Sequence, residues 1–170
     1  RWATHGPPNY HNSHPHLNES GSIALVHNGI IENYGAIKET LIRKGVTFKS
    51  ETDTEVLVHL ISAIYYQDKV LSFEDAVRAA LQEVVGAYGI VAMCKDEPEN
   101  LIAARMGSPL VLGVGENEYF LASDASPLIG YTRNVIYLDD GEIVSLTKGM
   151  VVNYTPKIDD ERFEGSLEME

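Results

Sequence analysis

The residues able to do chemistry fall mainly in three short stretches. The first, "THGPPNYHNSHPH" (4–16), carries His5, His11, His14 and His16 among prolines and asparagines. Zinc sites favour paired ligands at fixed spacings, commonly with cysteine. The proline-interrupted "SHPH" has no helical geometry to aim two imidazoles at one ion. No metal is therefore expected, and one or two of these histidines are expected to hydrogen-bond a ligand or the backbone. The second stretch, "LVHNGIIEN" (25–33), runs an apolar segment into Asn28-Gly29. Asn-Gly between apolar runs is a strong hairpin signal. The residues that follow, "YGAIKETLIRKG", have helical rather than strand periodicity, so Asn28-Gly29 is placed where a strand hands over to a helix. A carboxamide and an unhindered backbone N–H then stand at a strand's carboxyl end. The third stretch, "SETDTEV" (50–56), sets Asp53 and Glu55 at a loop-to-helix junction. Acids there are favoured by the helix dipole, and a carboxylate so placed can also hold a substrate ammonium. Cys94 closes an alternating "GIVAM" run with no His or Asn in a local signature beside it, and reads as a strand-end residue rather than a nucleophile.

These stretches need elements to hold them. Residues 1–22 read as a long loop, followed by a strand over 23–27. Asn33 can cap a helix running to Gly45, with Ile37, Leu41 and Ile42 on its apolar face. A second helix is predicted from Asp53 to Tyr66, with Val56, Leu57, Leu60, Ile61 and Ile64 as its stripe. Ser72 is a plausible N-cap for a third, from Phe73 to about Val85. From Ala87 the period changes to that of strands: "AYGIVAMC", "LIAAR", "PLVLGV", "EYFLAS", "NVIYL", "EIVSL" and "MVVNY", separated by turn residues. Helices grouped before strands indicate an α+β fold, with antiparallel sheets packed on helices.

Composition narrows the partners. The 170 residues are 44% hydrophobic and 22% charged, enough for one globular domain with a real core. With 13 basic against 25 acidic residues the net charge is −12, which disfavours nucleic acid. A single cysteine precludes an intrachain disulfide, and no apolar run approaches the ~20 residues that span a bilayer, so a cytoplasmic protein without membrane contact is expected. No GxGxxG or Walker-type loop follows a strand, and no cofactor is expected. The opening on Arg1-Trp2 and the acidic stretch 157–170 give the expectation of a segment of a longer protein, ending in a tail or linker.

Taken in order, "RWATHG", "NSHPH", "VHNGIIEN", "SETDTEVLVHL", "GAYG", "AARMGSPLVLG" and "ASDASPL" carry a resemblance that covers nearly all of residues 1–156. The chain resembles the glutaminase (class II glutamine amidotransferase) domains of the glutamine–fructose-6-phosphate aminotransferases, the glucosamine-6-phosphate synthases of hexosamine biosynthesis. The resemblance implies an N-terminal-nucleophile (Ntn) hydrolase fold, a four-layer αββα sandwich, here incomplete at its N-terminal end. It implies that Arg1 binds the α-carboxylate of L-glutamine and that Trp2 belongs to a closing loop that gates ammonia. Thr4 and His5 would line the carboxylate site, with His14 in the same region. The Asn28 side chain and the Gly29 N–H would form an oxyanion hole, and Asp53 would take the substrate ammonium. Such an enzyme passes ammonia to fructose 6-phosphate in a sugar isomerase domain and, at full length, is expected to be a homodimer. Another class II amidotransferase, or a non-catalytic module of the same fold, is the alternative.

The family's nucleophile is a cysteine at the mature N-terminus, and neither Arg1 nor Cys94 can replace it. The 170-residue chain alone is therefore expected to release no glutamate from glutamine, having nothing to form the acyl-enzyme. Glutamate release above background that Asn28→Ala abolishes would contradict this.

Overall fold

The structure, a computed structural model, describes residues 5–67 and 70–147, together with the backbone of two short strands, Val152–Thr155 and Gly165–Leu167. Arg1, Trp2 and Thr4 lie outside the described residues.

Two strands of nine residues, β2 (Ile23–Ile31) and β3 (Gly86–Cys94), form the longest ladder, with Gly29 opposite Tyr88. A two-residue strand, β1 (His16–Leu17), pairs on the far edge of β2. Beyond β3 follow β4 (Asn100–Met106), β8 (Ile143–Thr147), β9 (Val152–Thr155) and β10 (Gly165–Leu167), giving the order β1-β2-β3-β4-β8-β9-β10. A smaller sheet has the order β6-β5-β7, from β5 (Val111–Val114), β6 (Tyr119–Ala122) and β7 (Asn134–Tyr137).

Alternation along these strands sorts the side chains into two cores. One face of the large sheet, carrying Leu25, Ile31, Ile90 and Ile102, packs against α2 (Asp53–Gln67) and α3 (Phe73–Gln82). From the helices come Leu57, Val58, Ile61, Phe73 and Val77, all with at most 1% of their surface exposed. Each such side chain contributes about 1.5–3 kcal/mol on burial. The other face, through Ala103, Val144 and Leu146, meets Leu112 and Val114 of the small sheet. Gly113 points away from that core, and Leu128 of a single 3-10 turn (Ser126–Leu128) lies over it. The layers therefore run helices, large sheet, small sheet. They match three layers of the expected αββα sandwich, and among the described residues the fourth is represented by that one turn.

Several boundaries differ from the sequence reading. β2 does not end at His27 but runs through Asn28-Gly29 to Ile31. The first helix, α1 (Tyr34–Arg43), stops before Gly45, and Ile42, expected on its apolar face, is 52% exposed while Leu41 is buried. Asn33 occupies the N-cap position without capping. Its amide instead donates to the Glu83 carbonyl (2.8 Å) and accepts from the Val85 N–H (2.9 Å), tying the helix start to the end of α3. α3 itself ends at Gln82, and its cap is as expected, with Ser72 accepting from the Asp75 N–H. The opening loop contains β1, and the acidic tail contains β10.

The start of α2 is pinned by its own acids. Thr52 precedes the helix and its hydroxyl accepts the Glu55 N–H (3.3 Å), the first half of a capping box. The Glu55 carboxylate accepts from the Lys49 N–H (2.8 Å), the Ser50 N–H (2.7 Å) and the Ser50 hydroxyl (2.6 Å), and His59 stands 3.6 Å away. Burial pushes this carboxyl up, but the bonds from His59, Ser50 and the two backbone N–H groups outweigh it and hold the pKa at about 2, against an ordinary 4.5. A depressed folded-state value gives stability that is complete above the unfolded value and is lost as pH falls through the folded one. Glu55→Gln is thus expected to lower stability at pH 7 by about 2–3 kcal/mol. It should also flatten the decline in melting temperature between about pH 5 and pH 2 relative to wild type. Parallel melting curves for the two proteins across that range would contradict it.

Candidate active site

The site is built on the outer edge of β2. β1 pairs there only with Ala24 and Leu25, so the later residues of β2 run past its end. Backbone N–H groups alternate sides along an extended strand. The Ile23 N–H donates to Asn18 Oδ1 (2.9 Å) and the Ile31 N–H to Asp53 Oδ2 (2.9 Å), whereas the Glu32 N–H donates to the Val85 carbonyl (2.8 Å) on the other side. Gly29 is an even step from both isoleucines, so its N–H turns to the same outer edge. Glycine is required here on two counts. Its φ is +128°, and an added Cβ would lie 2.1 Å from the Ala87 carbonyl oxygen and 2.9 Å from Ser108 Oγ. Asn28, next to it, is exposed on the sheet face opposite His27. The carboxamide and the N–H therefore sit together in mid-strand, not where the strand ends. What makes them accessible is the end of the neighbouring strand β1.

Asp53 stands further along that edge. A strand rises about 3.4 Å per residue, so the N–H groups of Gly29 and Ile31 are about 7 Å apart. The Asp53 carboxylate, bonded to Ile31, therefore marks a point two residues along the strand from the Gly29 donor. Asp53 is 1% exposed. Its Oδ1 faces His5 Nδ1 at 3.3 Å, a charge contact without hydrogen-bond alignment. The His5 ring meets Tyr34 edge-on, with centroids 4.7 Å apart. The carboxylate is thus more than a favourable charge at a helix start, because it joins α2 to the last residue of β2.

Of the residues read from the sequence, the structure brings Asn28, Gly29, His5 and Asp53 to this edge. It places His14 one step away, with Nε2 3.4 Å from the hydroxyl of Thr54. His16, without an assigned role in the sequence reading, has Nε2 3.1 Å from Thr52 Oγ1. Cys94 is buried in the helix-facing core, as a strand-end residue should be. Among the described residues no group of three or more His, Cys, Asp or Glu could hold a metal ion. A cavity of about 470 Å³ opens nearby, lined among others by His14, His16, Lys49, Glu55 and His59. Asn28, Gly29 and Asp53 do not line it, so the cavity and this strand edge are separate features. Three neighbours escaped the sequence reading: His27, Thr54 and Ser108. His27 had a signal, since its place in the alternation Ile23, Leu25, His27 puts an imidazole on a core face.

A profile describing a glutamine amidotransferase domain matches residues 8–130. The chain belongs to that family. This amidotransferase domain is 54% identical over 157 residues to the glutamine–fructose-6-phosphate aminotransferase [isomerizing] of Chlorobaculum tepidum, covering 92% of the chain and 25% of that protein. To the protein of the same name from Bacteroides thetaiotaomicron it is 55% identical over 149 residues, 88% of the chain and 24% of the relative. It spans about a quarter of the length of these curated relatives. Among solved structures it superposes on a glutamine phosphoribosylpyrophosphate amidotransferase from B. subtilis, complexed with ADP and GMP. That match has a TM-score of 0.70 and 28% identity, over 86% of this chain and 31% of the other. The α+β amidotransferase sandwich expected from the sequence is therefore the fold of this domain.

Proposed function

We propose that this chain is the glutamine-hydrolysing part of a glutamine–fructose-6-phosphate aminotransferase. It would release ammonia from L-glutamine for transfer to fructose 6-phosphate, yielding glutamate and glucosamine 6-phosphate. The observation that carries the reading is the placing, on one strand edge, of a buried carboxylate at Asp53, bonded to the Ile31 N–H, two residues or about 7 Å of strand from the backbone of Gly29. In extended glutamine the side-chain amide carbon and the α-ammonium nitrogen are about 5 Å apart. A hydrogen bond from Gly29 to the amide oxygen and one to Asp53 from the ammonium therefore fit the same molecule.

Attack on the amide builds negative charge on its oxygen. Donors already in place, here the Asn28 carboxamide and the Gly29 N–H, stabilise that charge without reorganising, and one such donor is worth about 3–4 kcal/mol. Asp53 selects an amino acid over a simple amide by pairing with its ammonium. His5 beside it, with Arg1, Trp2 and Thr4, is assigned to the α-carboxylate end and its covering loop. A guanidinium fork suits a carboxylate because it donates two parallel bonds. The nucleophile is the family's N-terminal cysteine. The 54% identity to aminotransferases, against 28% to the phosphoribosylpyrophosphate enzyme, favours fructose 6-phosphate as acceptor over another class II chemistry. Among the described residues no helix is long and apolar enough to cross a membrane. A cytoplasmic homodimer is the proposed setting of the full-length protein.

The role of Asp53 separates this function from a purely structural one. Asn at this position keeps an acceptor for the Ile31 N–H but removes the charge. In the full-length enzyme, Asp53→Asn is expected to raise the glutamine KM about 30-fold or more, since loss of one partner of a buried charge pair costs about 2–5 kcal/mol. Binding of the sugar phosphate should be unchanged. A variant with wild-type glutamine kinetics and only a lowered melting temperature would leave Asp53 as a strand-to-helix tie alone.

A further inference from the structure

Two side-chain hydrogen bonds among the described residues tie β2 to α2, and the pair brackets Gly29. The first is the bond from the Ile31 N–H to Asp53 Oδ2 (2.9 Å). The second involves the next helical residue and an imidazole two residues before Gly29: His27 Nδ1 lies 3.1 Å from Thr54 Oγ1. The same ring reaches the neighbouring strand, with Nε2 3.4 Å from the Ala87 carbonyl oxygen. That carbonyl is the group against which a Cβ at Gly29 would collide. His27 thus touches the helix that carries Asp53 and the strand that backs Gly29, and its own backbone belongs to the strand that presents Asn28 and Gly29.

The direction of these bonds follows from chemistry. A carbonyl only accepts, so the hydrogen of a neutral His27 ring is on Nε2, and Nδ1 is left as an acceptor. The Thr54 hydroxyl then donates to His27 Nδ1. Its oxygen lone pairs face His14 Nε2 at 3.4 Å, which acts as donor to it. Thr54 is 1% exposed and the His27 residue 5%, so neither has bulk water to replace a lost partner. Nδ1 of His27 also lies 3.9 Å from Asp53 Oδ2, so the ring stands beside the carboxylate that the first tie holds.

One tie fixes only one distance between β2 and α2, whereas two ties on either side of Gly29 set the span between the donor and the carboxylate. We infer that His27, held through Thr54, is a positioning residue for glutamine: it fixes the separation of the Gly29 N–H from the Asp53 carboxylate without touching substrate itself. The inference rests on the reading of Asp53 as the ammonium partner. It assigns a task to a histidine buried between Leu25 and Gly29 that the proposed hydrolysis does not otherwise use.

Thr54→Val and Thr54→Ser in the full-length enzyme test this, since valine copies the shape of threonine and serine keeps the hydroxyl. Thr54→Val is expected to raise the glutamine KM about tenfold, with kcat changed less than threefold. Thr54→Ser should return KM to within about threefold of wild type. Asp53→Asn, measured beside them, distinguishes the two levels of the argument. If Asp53→Asn raises KM and Thr54→Val leaves it within twofold of wild type, the positioning role is overturned and the site reading stands. If both leave KM unchanged, both are overturned. A Thr54→Val enzyme that only melts at a lower temperature also overturns the positioning role. A reading that needs no variant comes from imidazole ¹⁵N resonances of the wild-type chain. Neutral His27 protonated on Nε2, with an accepting Nδ1, is expected, and a ring protonated on Nδ1 alone would overturn the inference.

Discussion

The bond from the Ile31 N–H to the Asp53 carboxylate is the constraint on which the rest of the site depends. It joins the last residue of a strand to the first residue of a helix across a sequence gap of 22 residues, inside a region closed to water. A buried carboxylate is costly unless paired and hydrogen-bonded. Here the Ile31 N–H supplies a hydrogen bond, and His5 Nδ1 stands 3.3 Å from the other carboxylate oxygen. In doing so they place the charge beside the open edge of β2. The Gly29 donor faces the same edge because strand geometry repeats every second residue.

The four residues Thr52–Glu55 behave as a hub. All four are at most 4% exposed, yet none is apolar. Each is satisfied by a different part of the chain: Thr52 by His16 of β1, Asp53 by Ile31 of β2, Thr54 by His27, and Glu55 by Lys49, Ser50 and His59. Buried polar groups that are fully partnered set a geometry more sharply than apolar contacts do, because a displaced partner leaves an unsatisfied group behind. A site that must hold two ends of a small flexible molecule gains from that rigidity. The apolar remainder of α2, through Leu57 and Ile61, provides the burial that keeps the hub dry.

Much of this was legible in the residues themselves. α2 showed a helical stripe, and for α3 Ser72 announced a cap that the structure contains. The strands after Ala87 were visible in their alternation. The course of β2 was not, since Asn-Gly is turn chemistry wherever it is read locally. Only the ladder with β3 shows that Gly29 continues the strand in a conformation an L-residue avoids. Asn33 misled in a similar way, because its amide serves Glu83 and Val85, which are distant in sequence. Asn28, Gly29 and Asp53 stood out as residues and took their roles, with His5, from the resemblance, and their grouping on one edge required the fold. His27 and Thr54 escaped notice because their roles are defined by each other. A threonine at a helix start and a histidine in an apolar strand each have common structural explanations, and only their 3.1 Å contact joins them.

The central claim is that one edge of β2 holds glutamine between Gly29 and Asp53. Its most direct measurement is a titration of the ¹⁵N-labelled chain with L-glutamate, the product that retains the ammonium, followed at the backbone amides. The resonances of Gly29 and Ile31 are expected to shift together and saturably, Gly29 through its new acceptor and Ile31 through the Asp53 carboxylate it shares with the ammonium. Saturable binding of glutamate that leaves both amides unmoved, with shifts confined to residues such as His16, Thr47 and Lys49 around the neighbouring cavity, would contradict it.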